Sequence, residues 1–134
     1  MKSHQKFSYK SSAEAALNIT SKVIELCSKK KAAHMGGALS ISDFLSVYYS
    51  FFHIPEFSSL FYSKGHACTA LYAALGYFGF FELRDLDSYS DNGSIFTSHV
   101  SHHVPGVELS TGSLGHALSV ASGVSYAKKI SGSN

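Results

Sequence analysis

The stretch Val104-Pro105-Gly106-Val107-Glu108-Leu109-Ser110-Thr111-Gly112-Ser113-Leu114-Gly115-His116 decides how this chain is read. It passes from a Pro-Gly turn through a short strand-like run, Val107 to Ser110, into Gly-Ser-Leu-Gly. A helix-forming run, Ala117 to Ile130, follows. Gly112 and Gly115 leave the backbone bare where something can approach closely. Ser113 is placed to cap the helix, whose first N–H groups favour an anion or a polar ring. A strand–turn–helix corner also serves as a plain structural joint, so these residues alone leave both readings open.

Upstream, residues 1–10 read as a loose tail. Ser11-Ser12-Ala13-Glu14 has capping-box spacing and opens a first helix, ending near Ala33. Ala16, Ile19, Val23 and Cys27 fall on one face, with Leu17 and Ile24 beside them. His34-Met35-Gly36-Gly37 is expected as a turn. Ser40-Ile41-Ser42-Asp43 caps a second helix through Phe44, Leu45, Tyr48 and Phe52, which Pro55 stops. Leu60-Phe61-Tyr62 reads as a short strand and Ser63-Lys64-Gly65-His66 as the turn after it. Ala67 to Phe81 is almost wholly apolar but too short for a membrane span, and Gly76 and Gly79 interrupt it, so a buried helix is expected. Glu82 to Tyr89 suits a short helix. Ser90 to Val104 reads as an irregular loop carrying His99, His102 and His103, of a length that is often functional.

The 134 residues suffice for one ordinary domain, here 11–134 after the tail. Apolar residues make up 45%, with 10 Phe and 8 Tyr, so a core is available, and 15% charged residues keep the chain far from disorder. A net charge of +2, with no basic–aromatic stripe, argues against nucleic acid. Lys29-Lys30-Lys31 reads as a solvated helix end. Cys27 and Cys68 sit in apolar helical contexts, as expected of buried thiols in a reducing, cytoplasmic protein. No signal-like apolar region opens the chain.

Eight histidines are the most informative polar residues. His34, His66 and His99 each stand in a turn or loop beside Gly or Ser. A neutral imidazole donates through one nitrogen and accepts through the other near neutral pH. Several in one cleft can bind a polyhydroxylated substrate, balance phosphate and move protons; scattered, they are ordinary surface histidines. His99-Val100-Ser101-His102-His103 also has the i, i+3 spacing of a metal pair, but no Cys lies nearby and Glu108 is the nearest acid.

Taken in order, His34-Met35-Gly36-Gly37, Ser63-Lys64-Gly65-His66-Ala67, Ser98-His99 and Pro105 to Gly115 resemble the transketolase family, in its N-terminal, diphosphate-side module. The resemblance runs from about residue 12 onward. It implies an α/β fold, represented here by a helix-rich part with few short strands and an incomplete sheet. That would leave apolar faces of the helices from Ala67 and Leu114 uncovered. It implies thiamine diphosphate as cofactor and transfer of a two-carbon ketol unit between sugar phosphates. In the family, histidines matching His34, His66 and His99 line the cleft and contact the sugar, and the one matching His66 also reaches the cofactor diphosphate. Gly112, Ser113 and Leu114 match the segment against the aminopyrimidine.

The pattern departs in two places. Members commonly continue Ser-Leu-Gly with Gln-Gly, where this chain has His116-Ala117; Ala narrows a close backbone approach. The Gly-Asp-Gly turn and later Asn that carry magnesium match nothing here, so the metal ligands are expected on a C-terminal part, as is the glutamate that activates the pyrimidine. The expected partners are therefore a companion C-terminal transketolase-like chain, or a further copy of this one, and a sugar phosphate, with no membrane or nucleic acid. The chain alone is expected to be inactive. Two other classes stay open: a non-catalytic remnant or interaction module, and a small metal-binding protein using the His99–His103 cluster.

Overall fold

The computed structural model describes residues 9–54 and 57–132. Among the described residues four α-helices form: α1 (Tyr9–Lys30), α2 (Met35–Val47), α3 (Cys68–Tyr77) and α4 (His116–Ser131). A π-turn, Tyr48–Phe52, prolongs α2, and short 3-10 turns cover Gly65–Ala67 and Leu83–Ser88. Among the described residues no strand forms, so the sheet expected of an α/β fold is not seen here.

The two segments expected as strands join no ladder. A strand needs a neighbour, and the polar groups here have other partners. The Tyr62 carbonyl accepts the Thr111 hydroxyl at 2.8 Å, and the Val107 N–H closes a turn onto the Val104 carbonyl at 3.1 Å. Helix boundaries also differ. α1 already includes Tyr9 and Lys10, placed in the tail by sequence, and stops at Lys30; Lys31 takes a left-handed φ of 50°. α2 starts at Met35, so Gly36 and Gly37 lie inside its first turn and not in a separate turn. The stop at Pro55 lies outside the described residues, and the π-turn ends before it.

α3 is the centre of the molecule. Every residue from Cys68 to Gly76 is buried, as its all-round apolar sequence requires. The expectation of an uncovered face on this helix is therefore wrong: Leu71 and Leu75 are covered by α1, α2 and the segment 83–104. α1 contributes Ala15, Ile19, Val23, Leu26 and Cys27 to the core. Its stripe is rotated from the one expected, with Leu26 inside and Leu17 in solvent. α2 turns Ala38, Ser42, Leu45 and Ser46 inward, while Phe44 faces out. The inward serines cost little because each hydroxyl is satisfied within the helix, Ser42 on the Ala38 carbonyl at 3.1 Å and Ser46 on that of Asp43 at 2.8 Å.

The long segment 83–104 is tied down rather than loose. Lys30 reaches Asp91 at 2.6 Å, so the basic run is only partly the solvated helix end expected of it. Tyr72 of α3 meets Tyr89 and Phe96 of the segment edge to face. α4 is the opposite of α3. Only Ala117 is buried, while Leu118, Tyr126 and Ile130 lie in solvent, as expected of an uncovered apolar face. No described helix is long and apolar enough to cross a membrane.

Gly106, in the Pro-Gly turn, has φ +86°, and a Cβ there would stand 2.5 Å from the Phe80 ring and 2.6 Å from Leu75. Gly106→Ala therefore meets both backbone strain and overpacking. Urea denaturation should show a loss of about 1–3 kcal/mol. An unchanged midpoint would contradict this packing.

Candidate functional site

The site is assembled around Gly65. Its backbone lies so close to Thr111 that a Cβ would collide with the Thr111 carbonyl, whose carbon would be 2.8 Å away. Three bonds fasten the surrounding segments. The Val100 N–H donates to the Gly65 carbonyl at 3.2 Å, the Thr111 N–H to the Val100 carbonyl at 3.1 Å, and the Thr111 hydroxyl to the Tyr62 carbonyl at 2.8 Å. The turn carrying His66, the loop carrying His99 and the start of the Gly112 corner are thus held as one unit.

α2 brings the third histidine. His34 is its N-cap residue, in the left-handed region at φ 69°, ψ 19°. Such a conformation is uncommon for a residue with a side chain. From there its ring meets that of His66 edge to face, with centroids 5.0 Å apart. Gly37, one turn on, makes room: a Cβ would be 3.1 Å from His66 Nε2. The charges of His34, Lys64 and His99 all reach His66. Desolvation first, and then those three groups, hold the His66 imidazole below the ordinary histidine value. It is thus neutral near pH 7, with one nitrogen donating and the other accepting. The structure brings His34, His66 and His99 into one neighbourhood, where spacing alone left scattered histidines open.

His102 and His103 stand apart from this group. Their rings pair at 4.1 Å between centroids, and His102 Nδ1 is 2.7 Å from the Ser110 hydroxyl. Among the described residues no three His, Cys, Asp or Glu side chains converge as a metal site would need.

Three supporting residues escaped the sequence reading. Tyr72, on the buried α3, donates its hydroxyl to the His99 carbonyl at 2.8 Å and accepts the Ser101 N–H at 3.1 Å, fixing the His99 loop from below. Lys64 binds the Gly37 carbonyl and the Ser40 hydroxyl, each at 2.7 Å. Ser63 takes the capping role expected of Ser113. Gly115 is the N-cap residue of α4 and makes no side-chain cap; the Ala117 N–H donates instead to Ser63 Oγ at 3.2 Å, across 54 positions of sequence. A long-range cap leaves no local signature.

The 112–116 corner faces solvent. A Cβ on Gly112 would meet no atom within 4 Å, and Leu114 is 67% exposed. Ala117 is buried and bonded to Ser63, so its methyl is enclosed within the fold. The corner offers bare backbone and an apolar surface, and it begins one residue after Thr111, whose N–H is bonded to the Val100 carbonyl.

Gly37→Ala separates site geometry from folding. Ala suits a helical position better than Gly by about 1 kcal/mol, so stability should hold or rise. The His66 ring resonances should nevertheless shift, because its Nε2 must give way. Unperturbed His66 resonances in the folded variant would show that the ring does not lie against α2.

The family model of the transketolase thiamine diphosphate binding domain matches residues 12–133. A protein of Phocaeicola vulgatus, named as one subunit of an apulose-4-phosphate transketolase, is 35% identical over 117 residues, 81% of this chain and 42% of the relative. A Clostridium protein named 6-deoxy-6-sulfo-D-fructose transketolase subunit SqwG is 35% identical over 116 residues, 80% of this chain and 42% of its own length. A transketolase of Kluyveromyces lactis is 40% identical over 67 residues, 49% of this chain and 10% of the relative. The chain thus spans less than half the length of these curated relatives. With a family match over nearly its whole length, this chain belongs to the transketolase family.

Proposed function

We propose that this chain provides the thiamine-diphosphate side of a transketolase that moves a two-carbon ketol unit between phosphorylated sugars, acting with a companion chain. The observation that carries the reading is the ring contact of His34 with His66, together with the backbone knot of Gly65, Val100 and Thr111 that flanks His66, His99 and Gly112. The corner suits the cofactor. Leu114 offers an apolar face to a ring, and Gly112 leaves its backbone approachable. The family's Gly is Ala117 here, but its buried methyl leaves the open side of the corner clear.

When bound, thiamine diphosphate supplies the electron sink for breaking and forming the carbon–carbon bond. The protein's own task is orientation and proton movement. His34, His66 and His99 hold the sugar hydroxyls, and a neutral imidazole such as His66 takes or returns a hydroxyl proton. His66 also donates to the cofactor diphosphate. Its neutrality leaves most of that charge to a magnesium ion, which wants oxygen ligands and phosphate together. This reading assigns the metal ligands and the pyrimidine-activating glutamate to the part of the relatives that this chain does not span.

Two of those relatives are named as subunits, which supports a companion chain. The exposed apolar residues of α4 give such a companion, or a second copy, something to cover. Cys27 and Cys68, both free and buried, suit the reducing cytoplasm that belongs to this reading. Among the described residues, the metal-binding alternative finds only the His102–His103 pair to support it.

The test is reconstitution. Ketol transfer from a ketose phosphate is measured with thiamine diphosphate and magnesium, with and without a candidate C-terminal partner. Transfer is expected only with the partner, and His34→Ala, His66→Ala or His99→Ala should each lower kcat/KM by about 10²–10⁴-fold. Transfer by the lone chain would overturn the need for a companion. Full activity in the three variants would overturn the roles of the histidines.

A further inference from the structure

Lys64 is placed against electrostatic preference. Its ammonium sits on the first turn of α2, bonding the Gly37 carbonyl and Ser40 Oγ at 2.7 Å each. Ser40 in turn donates to the same carbonyl at 2.9 Å, closing a three-membered network. The amino end of a helix carries partial positive charge and favours anions, so a cation fastened there works against the helix dipole. The structure keeps it at the point where His34 and His66 meet.

We infer that Lys64 is a positioning residue, which clamps the His66 turn onto the amino end of α2 and fixes a positive charge beside the His66 imidazole. The clamp follows from connectivity. Lys64 is two residues from His66, Gly37 lies against the His66 ring, and His34 caps the same helix. The charge follows from what surrounds His66. Among the described residues, the charged and titratable groups acting on it are His34 from the α2 cap, Lys64 from its own turn and His99 from the neighbouring loop. Of these, only Lys64 is a permanent cation at neutral pH. A proton arriving on His66 meets that charge and the helix end together, so a neutral donor–acceptor ring is kept at a pH where a free histidine would be partly charged.

The consequence for sugar binding rests on the function proposed above, but the test does not. Imidazole C–H resonances of the full chain are titrated without substrate, cofactor or companion. His66 in the native chain should titrate below 6.5, the ordinary histidine value. Lys64→Met should raise its midpoint by about half a unit, the scale of one nearby charge screened by water. Lys64→Arg should keep it low. Lys64→Gln retains a donor for the Gly37 carbonyl and loses the charge, so it should raise the midpoint with less disturbance of the fold. It also serves where the Met variant does not fold. A His66 midpoint unchanged in Lys64→Gln, or raised as far in Lys64→Arg as in Lys64→Gln, would overturn the inference. Neither result would bear on whether the reconstituted pair transfers ketol units, and a failed reconstitution would leave the titration standing.

Discussion

The close approach of Gly65 to Thr111 is the constraint on which the site depends. No side chain fits between these two backbones. With the gap closed, the Val100 N–H reaches the Gly65 carbonyl and the Thr111 N–H reaches that of Val100. Three segments remote in sequence then share one small hydrogen-bonded knot. His66, His99 and Gly112 each lie one residue from a member of it, so their relative positions follow from backbone geometry before any side chain packs.

The buried helix α3 supplies the support. Burying Leu71, Tyr72 and Leu75 contributes about 1.5–3 kcal/mol for each large apolar side chain. Tyr72 adds a polar tip that holds the His99 loop, and a buried hydroxyl left unpaired would cost about 1–3 kcal/mol. Cys68 lies in the same wall, its Sγ 3.6 Å from the Tyr89 hydroxyl, and burial pushes its thiol up to about 11, so it behaves as a packing residue rather than a nucleophile. Stability and function thus meet at α3, one face of which packs the core while its hydroxyl-bearing tip positions the site. α4 sits outside this arrangement. It is joined to the site at its first turn through Ser63, and beyond Ala117 it presents apolar side chains to solvent.

What the sequence revealed depended on whether the signal was local. The all-apolar run from Ala67 announced a buried helix, and the 3.6-residue period placed Ile19, Val23 and Cys27 inside. The period could not settle the phase of α1, because Leu17 and Leu26 are equally apolar and only the position of α3 decides between them. The short runs at 60–62 and 107–110 read as strands from composition, yet strand pairing is a non-local property that composition does not carry. The glycines gave a similar lesson. Gly112 attracted notice in a motif and stands in open space, whereas the close approaches at Gly65 and Gly37 are set by neighbours remote in sequence. The histidines became a group through resemblance to a family; the spacing of His34, His66 and His99 contains no period that would join them.

The central claim is that these histidines form one site before any ligand arrives. A nuclear Overhauser spectrum of the full chain tests it directly, through the ring C–H protons of His34 and His66. Rings with centroids 5.0 Å apart should show a clear cross-peak in the free protein. A folded chain without that cross-peak would contradict the account, because His34 and His66 would then not share a site.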